Sequence, residues 1–371
     1  MKKCRSENML VHVLTSLDFG GVESQMQLIG INVNMSKFNH IFCAIGTGGS
    51  AQKTLKKMGV KADALDCNVK IPSISAVFAL WRYFKKHNPQ VVHLRGVEAN
   101  FHGAIAARLA GVPVVVAEEI GIPNHSAKAR RIFAWIYGRC DSVVAISQAV
   151  KEGIIAMNEA NESQIQVVYN PFSPQKFKPL SQCSGSLSLG FVGRLEPVKN
   201  PITTVEAVAL LRDMGIETEL HIVGDGSLRP VLEQKIKELN LCTQVQLHGF
   251  QENPFALLEN CHFYLQPSLT EGFGLAVCEA MSAGLPVIAT ARGGVPEIIQ
   301  HDKTGWLIQE PTAKALAEMI QFANRYNNDE LQSIAIKGRD EVLQRFGIQH
   351  YLNQLDDLYI MLLKTKNIAN A

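Results

Sequence analysis

The residues best equipped for chemistry fall in one run, Pro267-Ser268-Leu269-Thr270-Glu271-Gly272-Phe273-Gly274-Leu275-Ala276-Val277-Cys278-Glu279-Ala280-Met281-Ser282-Ala283-Gly284-Leu285-Pro286. It begins just beyond a predicted strand, Phe263–Leu265, so Glu271 belongs to the loop at a strand's carboxyl end. Gly272 and Gly274 let the backbone turn tightly and approach a ligand closely. A helix starting near Gly274 presents unpaired N–H groups and the positive end of its dipole, a natural seat for phosphate. Glu279 lies about one turn further on, on a face that reaches a ribose. Two carboxylates with seven residues between them thus straddle a phosphate site. The plainer alternative is a capped helix with solvated acids, which does not account for the Pro and Gly framing on both sides.

Such residues need a scaffold that delivers strand ends to one place. Short apolar runs alternate with amphipathic stretches throughout, the pattern of parallel sheets covered by helices. Strands are predicted near Leu10–Leu14, His40–Ile45, Val91–His93, Val114–Ala117, Ser142–Ile146 and Gln166–Tyr169, with a helix over Val22–Val33 and Ser147 as an N-cap. From Asn170 to Ser188 the chain turns rich in Pro, Ser and Lys and reads as a linker. The alternation then restarts with Leu189–Val192, Glu219–Val223, Val245–Leu247, Phe263–Leu265, Pro286–Ala289 and Gly305–Leu307, with helices over Pro201–Arg212 and Leu228–Leu239. A last helical pattern runs from about Gln349 to Thr365. The expected division is an α/β domain over 1–180, a second over 181–348, and a terminal helix over 349–371 able to pack back on the first domain. Ligands would bind in the cleft between the carboxyl ends of the two sets of strands.

A chain of 371 residues exceeds what one core usually organises, and 47% hydrophobic with 19% charged residues suits buried cores and argues against disorder. No stretch reaches the roughly 20 apolar residues of a spanning helix. The basic start followed by Met9–Leu14 has a secretory signal as its alternative reading, but Asp18-Phe19-Gly20-Gly21 offers no small-residue cleavage site and a first strand is favoured. Eight scattered cysteines (4, 43, 67, 140, 183, 242, 261 and 278) with no C-x-x-C pair suggest reduced thiols in a cytoplasmic protein. The net charge of +2 hides an asymmetry: residues 1–180 hold 21 Lys and Arg against 12 Asp and Glu, the remainder 15 against 22. A basic first half expects an anionic partner, a phosphate-bearing acceptor or a membrane surface, or else is simply solvated.

The motif Glu271-x7-Glu279, embedded in P-S-x-x-E-G-F-G-L and E-A-M-x-A-G-x-P-V-I-A-T, resembles the signature of retaining glycosyltransferases of family 4, which have the GT-B fold. Gly20-Gly21-Val22-Glu23, Phe191-Val192-Gly193-Arg194-Leu195 with Lys199, Val223-Gly224-Asp225-Gly226, Leu247-His248-Gly249-Phe250 and Gly293-Gly294-Val295-Pro296-Glu297 extend the resemblance over nearly the whole chain. It implies two Rossmann-like α/β/α domains facing across a cleft, the second holding a nucleotide-sugar donor. Arg194 and Lys199 resemble the family's cations that neutralise the donor diphosphate and the leaving nucleoside diphosphate, Arg through its fork of donors and Lys as a compact charge. Gly274 and Leu275 would hold the distal phosphate through backbone N–H groups, with Gly193, Gly272 and Phe273 in the same donor-binding set. Glu279 would take ribose hydroxyls and Glu271 hydroxyls of the transferred sugar. Gly20 and Gly21 would close over the phosphates from the other domain. The turn at Gly249-Phe250 is the family's neighbourhood for the nucleobase, or else a plain strand end.

Retention by double displacement needs a well-placed nucleophile. The carboxylates here are committed to hydroxyls, so a front-face route is expected, the departing phosphate taking the acceptor's proton, with Arg194, Lys199 and the helix start stabilising it. No Asp-x-Asp stands where a Mg²⁺-diphosphate would bind, so neither metal nor cofactor is expected. A UDP-sugar is favoured over a GDP-sugar, and the acceptor is expected to be a glycan or lipid-linked. A GT-B-type sugar-nucleotide epimerase and a non-catalytic nucleotide-sugar binder are the alternatives.

One departure concerns the acceptor side. Many family members place a histidine just after the fourth strand of the first domain; here Glu118-Glu119-Ile120-Gly121 follows, with His125 a few residues on. Glu118, Glu119 and His125 are therefore acceptor-side candidates, with a strand-end acid in water the equal alternative for the glutamates. Gly46-x-Gly48-x-x-Ala51, with Asp66 twenty residues after Gly46, imitates a dinucleotide fingerprint but follows the second strand, and such turns are common structural devices. His93, His102, His248 and His262 share no metal spacing and read as loop or packing residues. Finally, Phe78–Lys86 and Lys128–Tyr137 mix cations with aromatics at helical spacing. They read either as helices lying on an anionic membrane surface, which suits a peripheral protein on the inner face of the membrane, or as ordinary helices with rings inward. No nucleic-acid-binding motif accompanies the basic half, so nucleic acid is not an expected partner.

Overall fold

The computed structural model describes residues 8–18, 20–180 and 185–369. Cys4 and Cys183, the basic residues Lys2, Lys3 and Arg5, and positions 181–184 of the linker lie outside them. The described chain divides into two compact units, one running to Phe172 and taking up Phe346 onward, the other spanning Ser173–Arg345.

In the first unit, β1 (Met9–Leu14), α1 (Gly21–Ile31), β2 (Asn39–Ala44), α2 (Ser50–Lys57), β3 (Lys61–Ala64), α3 (Ile74–His87), β4 (Val91–Arg95), α4 (Val97–Ala110), β5 (Val114–Glu119), α5 (Ala127–Tyr137), β6 (Ser142–Ala145), α6 (Gln148–Ala156) and β7 (Ile165–Val167) follow in order. Their strands form one parallel sheet in the order β3-β2-β1-β4-β5-β6-β7. Parallel strands covered on both faces become continuous apolar runs, which is why Val114-Val115-Val116-Ala117 was legible as a strand and is wholly buried. The edge strand β3, Lys-Ala-Asp-Ala, was not predicted: only one of its residues is fully buried, and it lacks β-branched or aromatic residues. Ser147 caps α6, accepting the Val150 amide at 3.1 Å.

The second unit repeats the plan with β8 (Leu187–Val192), α7 (Pro201–Asp213), β9 (Thr218–Val223), α8 (Arg229–Glu238), β10 (Val245–Gly249), β11 (Phe263–Gln266), α9 (Leu275–Ala283), β12 (Val287–Thr290), α10 (Val295–Ile298), β13 (Trp306–Ile308), α11 (Ala313–Ala323) and α12 (Asn328–Arg345). The strand order is β10-β9-β8-β11-β12-β13, again parallel. Each sheet is therefore a Rossmann-like sheet whose order reverses beside its first strand, between β1 and β4 and between β8 and β11. Ligand crevices form at such switch points, beyond the carboxyl ends.

One boundary differs from the sequence reading. The second unit starts at Ser173, not 181, because the Pro-rich stretch is stitched to it: the amides of Gln175, Lys178 and Leu180 donate to Ser282 Oγ, the Ala283 carbonyl and Gln332 Oε1. The final helix α13 (Ile348–Ala369) packs in the first unit's core, burying Tyr351, Leu352, Leu355 and Tyr359 against Leu10, Val91 and Val114. Among the described residues no helix is long and apolar enough to cross a membrane.

Candidate active site

The second unit's switch point gathers the predicted residues from both of its sides. From β8 come Gly193, Arg194 and, in the short turn Pro197–Lys199, Lys199; from β11 comes the loop that carries Glu271. The two loops are tied together. Leu269 donates its amide to the Val198 carbonyl at 2.9 Å, and Asn200, held at φ +53°, donates its side-chain amide to Pro267 and Pro311 carbonyls at 3.2 and 3.1 Å. As a result Lys199 Nζ lies 2.6 Å from Glu271 Oε2. An ammonium has three donors, so this pairing leaves two for an incoming phosphate. Arg194 is exposed, and its guanidinium makes no hydrogen bond or ion pair with any described residue.

Arg194 and Gly193 also line a cavity of about 260 Å³, shared with Gly224, Asp225 and Phe250. Phe250 is 61% exposed, beyond the end of β10. Gly224 sits at φ +139°, and a Cβ there would run into the Gly193 carbonyl. Glycine at 224 is thus what keeps the strand ends close enough to form the cavity floor.

Beyond Glu271 the chain turns through half-buried Gly272 and buried Phe273 into α9. Gly274, at φ +118°, is its N-cap and supplies no side-chain cap; the Val277 amide turns back to the Gly274 carbonyl at 3.0 Å, and the Leu275 and Ala276 amides are left to a ligand. Gly294 braces this turn, donating its amide to the Glu271 carbonyl at 3.1 Å. Glu279 is half-buried, takes no side-chain hydrogen bond from any described residue, and has its carboxyl pushed up to about 7 by burial. A carboxylate that has lost water and gained no donor is prepared to accept hydroxyls.

The motifs do not assign a role to Tyr264, Gln266 or Ser268, yet buried Gln266 and Ser268 meet Glu271 Oε2 and buried Tyr264 stands behind Gln266. Tyr264 Oη lies 2.6 Å from Gln266 Oε1, Gln266 Nε2 donates to Ser268 Oγ at 2.8 Å and reaches Glu271 Oε2 at 3.4 Å, and Ser268 Oγ donates to Glu271 Oε2 at 3.2 Å. Burial, with Glu279 and Glu271 nearby, pushes the Tyr264 hydroxyl far up and keeps it a donor. The available signal was a glutamine ending an otherwise apolar strand just before Pro267.

In the first unit, Gly20 caps α1 at φ +150° and Gly21 opens the helix. The Glu23 carboxylate, accepting from Ser16 Oγ at 3.0 Å, lies against Gly20. The acceptor-side candidates require correction in one respect: neither glutamate is a strand-end acid in water. Glu118 is buried in an ion pair with Arg95, 2.6 Å away, and lies 3.0 Å from Nε2 of His93, whose ring is kept neutral by burial and Arg95. Burial opposes the charge on Glu118, but Arg95 and His93 outweigh that and hold its carboxyl below the usual range. Arg95 also donates to Tyr351 Oη at 2.8 Å and His93 Nδ1 meets Tyr359 Oη at 2.5 Å, so Glu118 is a member of the cluster that anchors α13. Glu119 accepts from Tyr137 Oη at 2.6 Å and is pushed up to about 7 by burial. His125 pairs with Glu159 at 2.7 Å and stacks on Phe133; no hydrogen bond joins it to Glu118 or Glu119.

The glycine-rich turn at Gly46–Ala51 borders a cavity of about 590 Å³ lined by Gly48, Gly49, Gln52, Lys53 and Asp66. The amides where a helix start would meet a pyrophosphate are already taken: Ser50 N donates to Asp18 Oδ1, Ala51 N to the Asp18 carbonyl and Gln52 N to the Leu17 carbonyl. The histidines likewise hold local partners. His102 Nε2 accepts the Ser73 amide, His262 Nδ1 the Ser188 amide, and His248 pairs with His221.

Comparison with known proteins shows the family. The family described as Glycosyl transferases group 1 matches residues 174–339, and Glycosyltransferase Family 4 matches 40–176. The amylovoran biosynthesis glycosyltransferase AmsK of Erwinia amylovora is 30% identical over 280 residues, 71% of this chain and 68% of that protein. The UDP-Gal:α-D-GlcNAc-diphosphoundecaprenol α-1,3-galactosyltransferase of Escherichia coli is 28% identical over 321 residues, 80% of this chain and 81% of that protein. Among solved structures, Anabaena HepE in complex with UDP and glucose superposes with a TM-score of 0.81 at 21% identity, covering 95% of this chain and 99% of that one, a likeness of fold.

Proposed function

The chain belongs to the family 4, group 1 glycosyltransferases of GT-B fold, and on that premise we propose that it moves a sugar, with retention, from a UDP-sugar to a glycan or lipid-linked acceptor in building a surface polysaccharide or glycoconjugate. The observation that carries this reading is the meeting of Lys199 with Glu271 beside Arg194 and the open start of α9, all at one switch point. Two cations and a helix start there favour a diphosphate, while Glu271 and Glu279 are placed for hydroxyls.

The reaction follows from those groups. Arg194, Lys199 and the amides from Gly274 and Leu275 stabilise the departing nucleoside diphosphate as the C1–O bond breaks. The acceptor oxygen bonds to C1 from the same face, and its proton passes to the phosphate oxygen that leaves. No protein nucleophile is required. UDP is favoured over GDP because the similar HepE structure holds UDP, and a lipid diphosphate acceptor is suggested by the Escherichia coli relative, which acts on GlcNAc-diphosphoundecaprenol.

Attachment to an anionic membrane surface is part of the proposal. The aromatics of α3 and α5 divide: Tyr83, Phe84, Phe133 and Tyr137 are buried, whereas Phe78 and Trp135 are exposed, with the aliphatic Ile74, among Arg82, Lys85, Lys86, Lys128 and Arg131. Rings exposed beside cations suit a headgroup boundary.

A thermal-shift screen with UDP, GDP and their sugars tests the donor. Ligand binding to the native state raises the melting midpoint, and UDP should raise it more than GDP. Transfer from the stabilising sugar nucleotide to a polyprenyl-diphosphate sugar then tests the reaction; stabilisation by neither nucleotide rejects the reading.

A further inference from the structure

Glu271 is not simply a carboxylate at a loop tip. Every donor it meets among the described residues, Lys199 Nζ, Ser268 Oγ and Gln266 Nε2, falls on the same oxygen, Oε2. Oε1 takes none of them. A carboxylate only accepts, so the amide nitrogen of Gln266 must face it, and the amide oxygen then faces Tyr264. Tyr264 cannot turn away, because its ring is fully buried, and its single O–H proton goes to the nearer acceptor, Gln266 Oε1 at 2.6 Å, with the Val192 carbonyl at the end of β8 competing from 3.1 Å. Orientation therefore runs from the buried Tyr264, through Gln266, to Ser268 and Glu271.

We infer that Gln266 is a positioning residue for the donor sugar: clamped by Tyr264, it commits one oxygen of Glu271 to the protein and turns the other to the sugar hydroxyls. This rests on the reading of Glu271 as the residue that grips the transferred sugar. Removing the clamp leaves the diphosphate contacts in place but lets the carboxylate rotate, so the sugar's share of binding falls while the nucleotide's share stays.

The test is titration calorimetry of the full chain with a nucleoside diphosphate alone and with its sugar derivative, using UDP and whichever of UDP-glucose and UDP-galactose binds the parent protein more tightly. Gln266→Met keeps the side-chain volume and removes the amide. Its affinity for UDP should stay within about twofold of the parent, while the extra affinity contributed by the sugar drops about tenfold, the size of one lost hydrogen bond to a charged group. Tyr264→Phe, which keeps the ring, should move the same ratio in the same direction by less. Glu271→Ala separates the two readings. If it leaves the sugar's share intact, Glu271 does not grip the sugar and both readings fall. If it abolishes that share while Gln266→Met and Tyr264→Phe match the parent, the positioning role alone is overturned. Equal weakening of UDP and UDP-sugar in Gln266→Met also overturns it, since that is the mark of a general structural effect.

Discussion

Lys199 and Glu271 stand 72 residues apart in the chain, yet Nζ and Oε2 are 2.6 Å apart. The contact joins the loop after β8 to the loop after β11, so it spans the switch point of the second sheet and places a phosphate-seeking cation beside a hydroxyl-seeking acid. Donor binding must share this lysine between carboxylate and diphosphate. That arrangement couples the seating of the sugar to the seating of its leaving group.

Replacing Arg194 or Lys199 by alanine should lower kcat by about 100-fold or more, the usual loss when a donor to developing negative charge is removed. Both positions lie on loops, so the melting midpoint should move little. Near-normal turnover in both variants would reject their assignment.

Nucleotide affinity should depend on pH through Glu279. Its folded carboxyl is raised to about 7 by burial, whereas the unfolded chain releases that proton near about 4.3. Between those values the native state binds more protons than the unfolded one, so this group's contribution to stability declines as pH rises through that window and levels off above it. Ribose hydroxyls prefer the ionised acid, so UDP affinity should climb from pH 5.5 to 8. Glu279→Gln should flatten that climb, as calorimetry across the range will show.

Glu118→Ala should destabilise the first unit by about 3–5 kcal/mol, because it leaves Arg95 charged and buried without its carboxylate. Urea titration followed by circular dichroism reads this directly. A loss below about 1 kcal/mol would show that Tyr351 and water suffice for Arg95.

Gly224→Ala should damage donor binding without touching a donor contact. A methyl group at φ +139° collides with the Gly193 carbonyl, and the strained backbone costs about 1–3 kcal/mol. UDP binding should weaken along with thermal stability, and an unaffected variant would show that the two strand ends move apart freely.

Sedimentation with vesicles containing anionic lipid should capture the protein at low salt, with capture falling as salt screens the cations. Phe78→Glu with Trp135→Glu should lower it severalfold. Equal recovery with neutral and anionic vesicles would remove membrane attachment from the proposal.

Much of the site was legible because its chemistry is local. Glu271, Gly274 and Glu279 share one loop and one helix, and glycine where φ is positive leaves a trace in any sequence. Arg194 and Lys199 were singled out through the family resemblance, and their roles belong to the proposal. β3 was missed because an edge strand needs little apolar content. Glu118 was misplaced because its surroundings come from elsewhere: Arg95 lies 23 residues away, and the tyrosine bound to Arg95 lies 256 residues from it.

Periodicity and turn chemistry, both properties of neighbouring residues, determined the alternating elements and the division into two α/β units, and the resemblance of the Glu271-x7-Glu279 and glycine motifs pointed to the family. Tertiary structure decided which polar groups lose water. It buried Glu118 against an arginine and a terminal helix, took the Ser50 and Ala51 amides for Asp18, and put Gln266 between Tyr264 and Glu271. Desolvation and hydrogen-bond geometry depend on what packs from distant parts of the chain, and no local spacing records that.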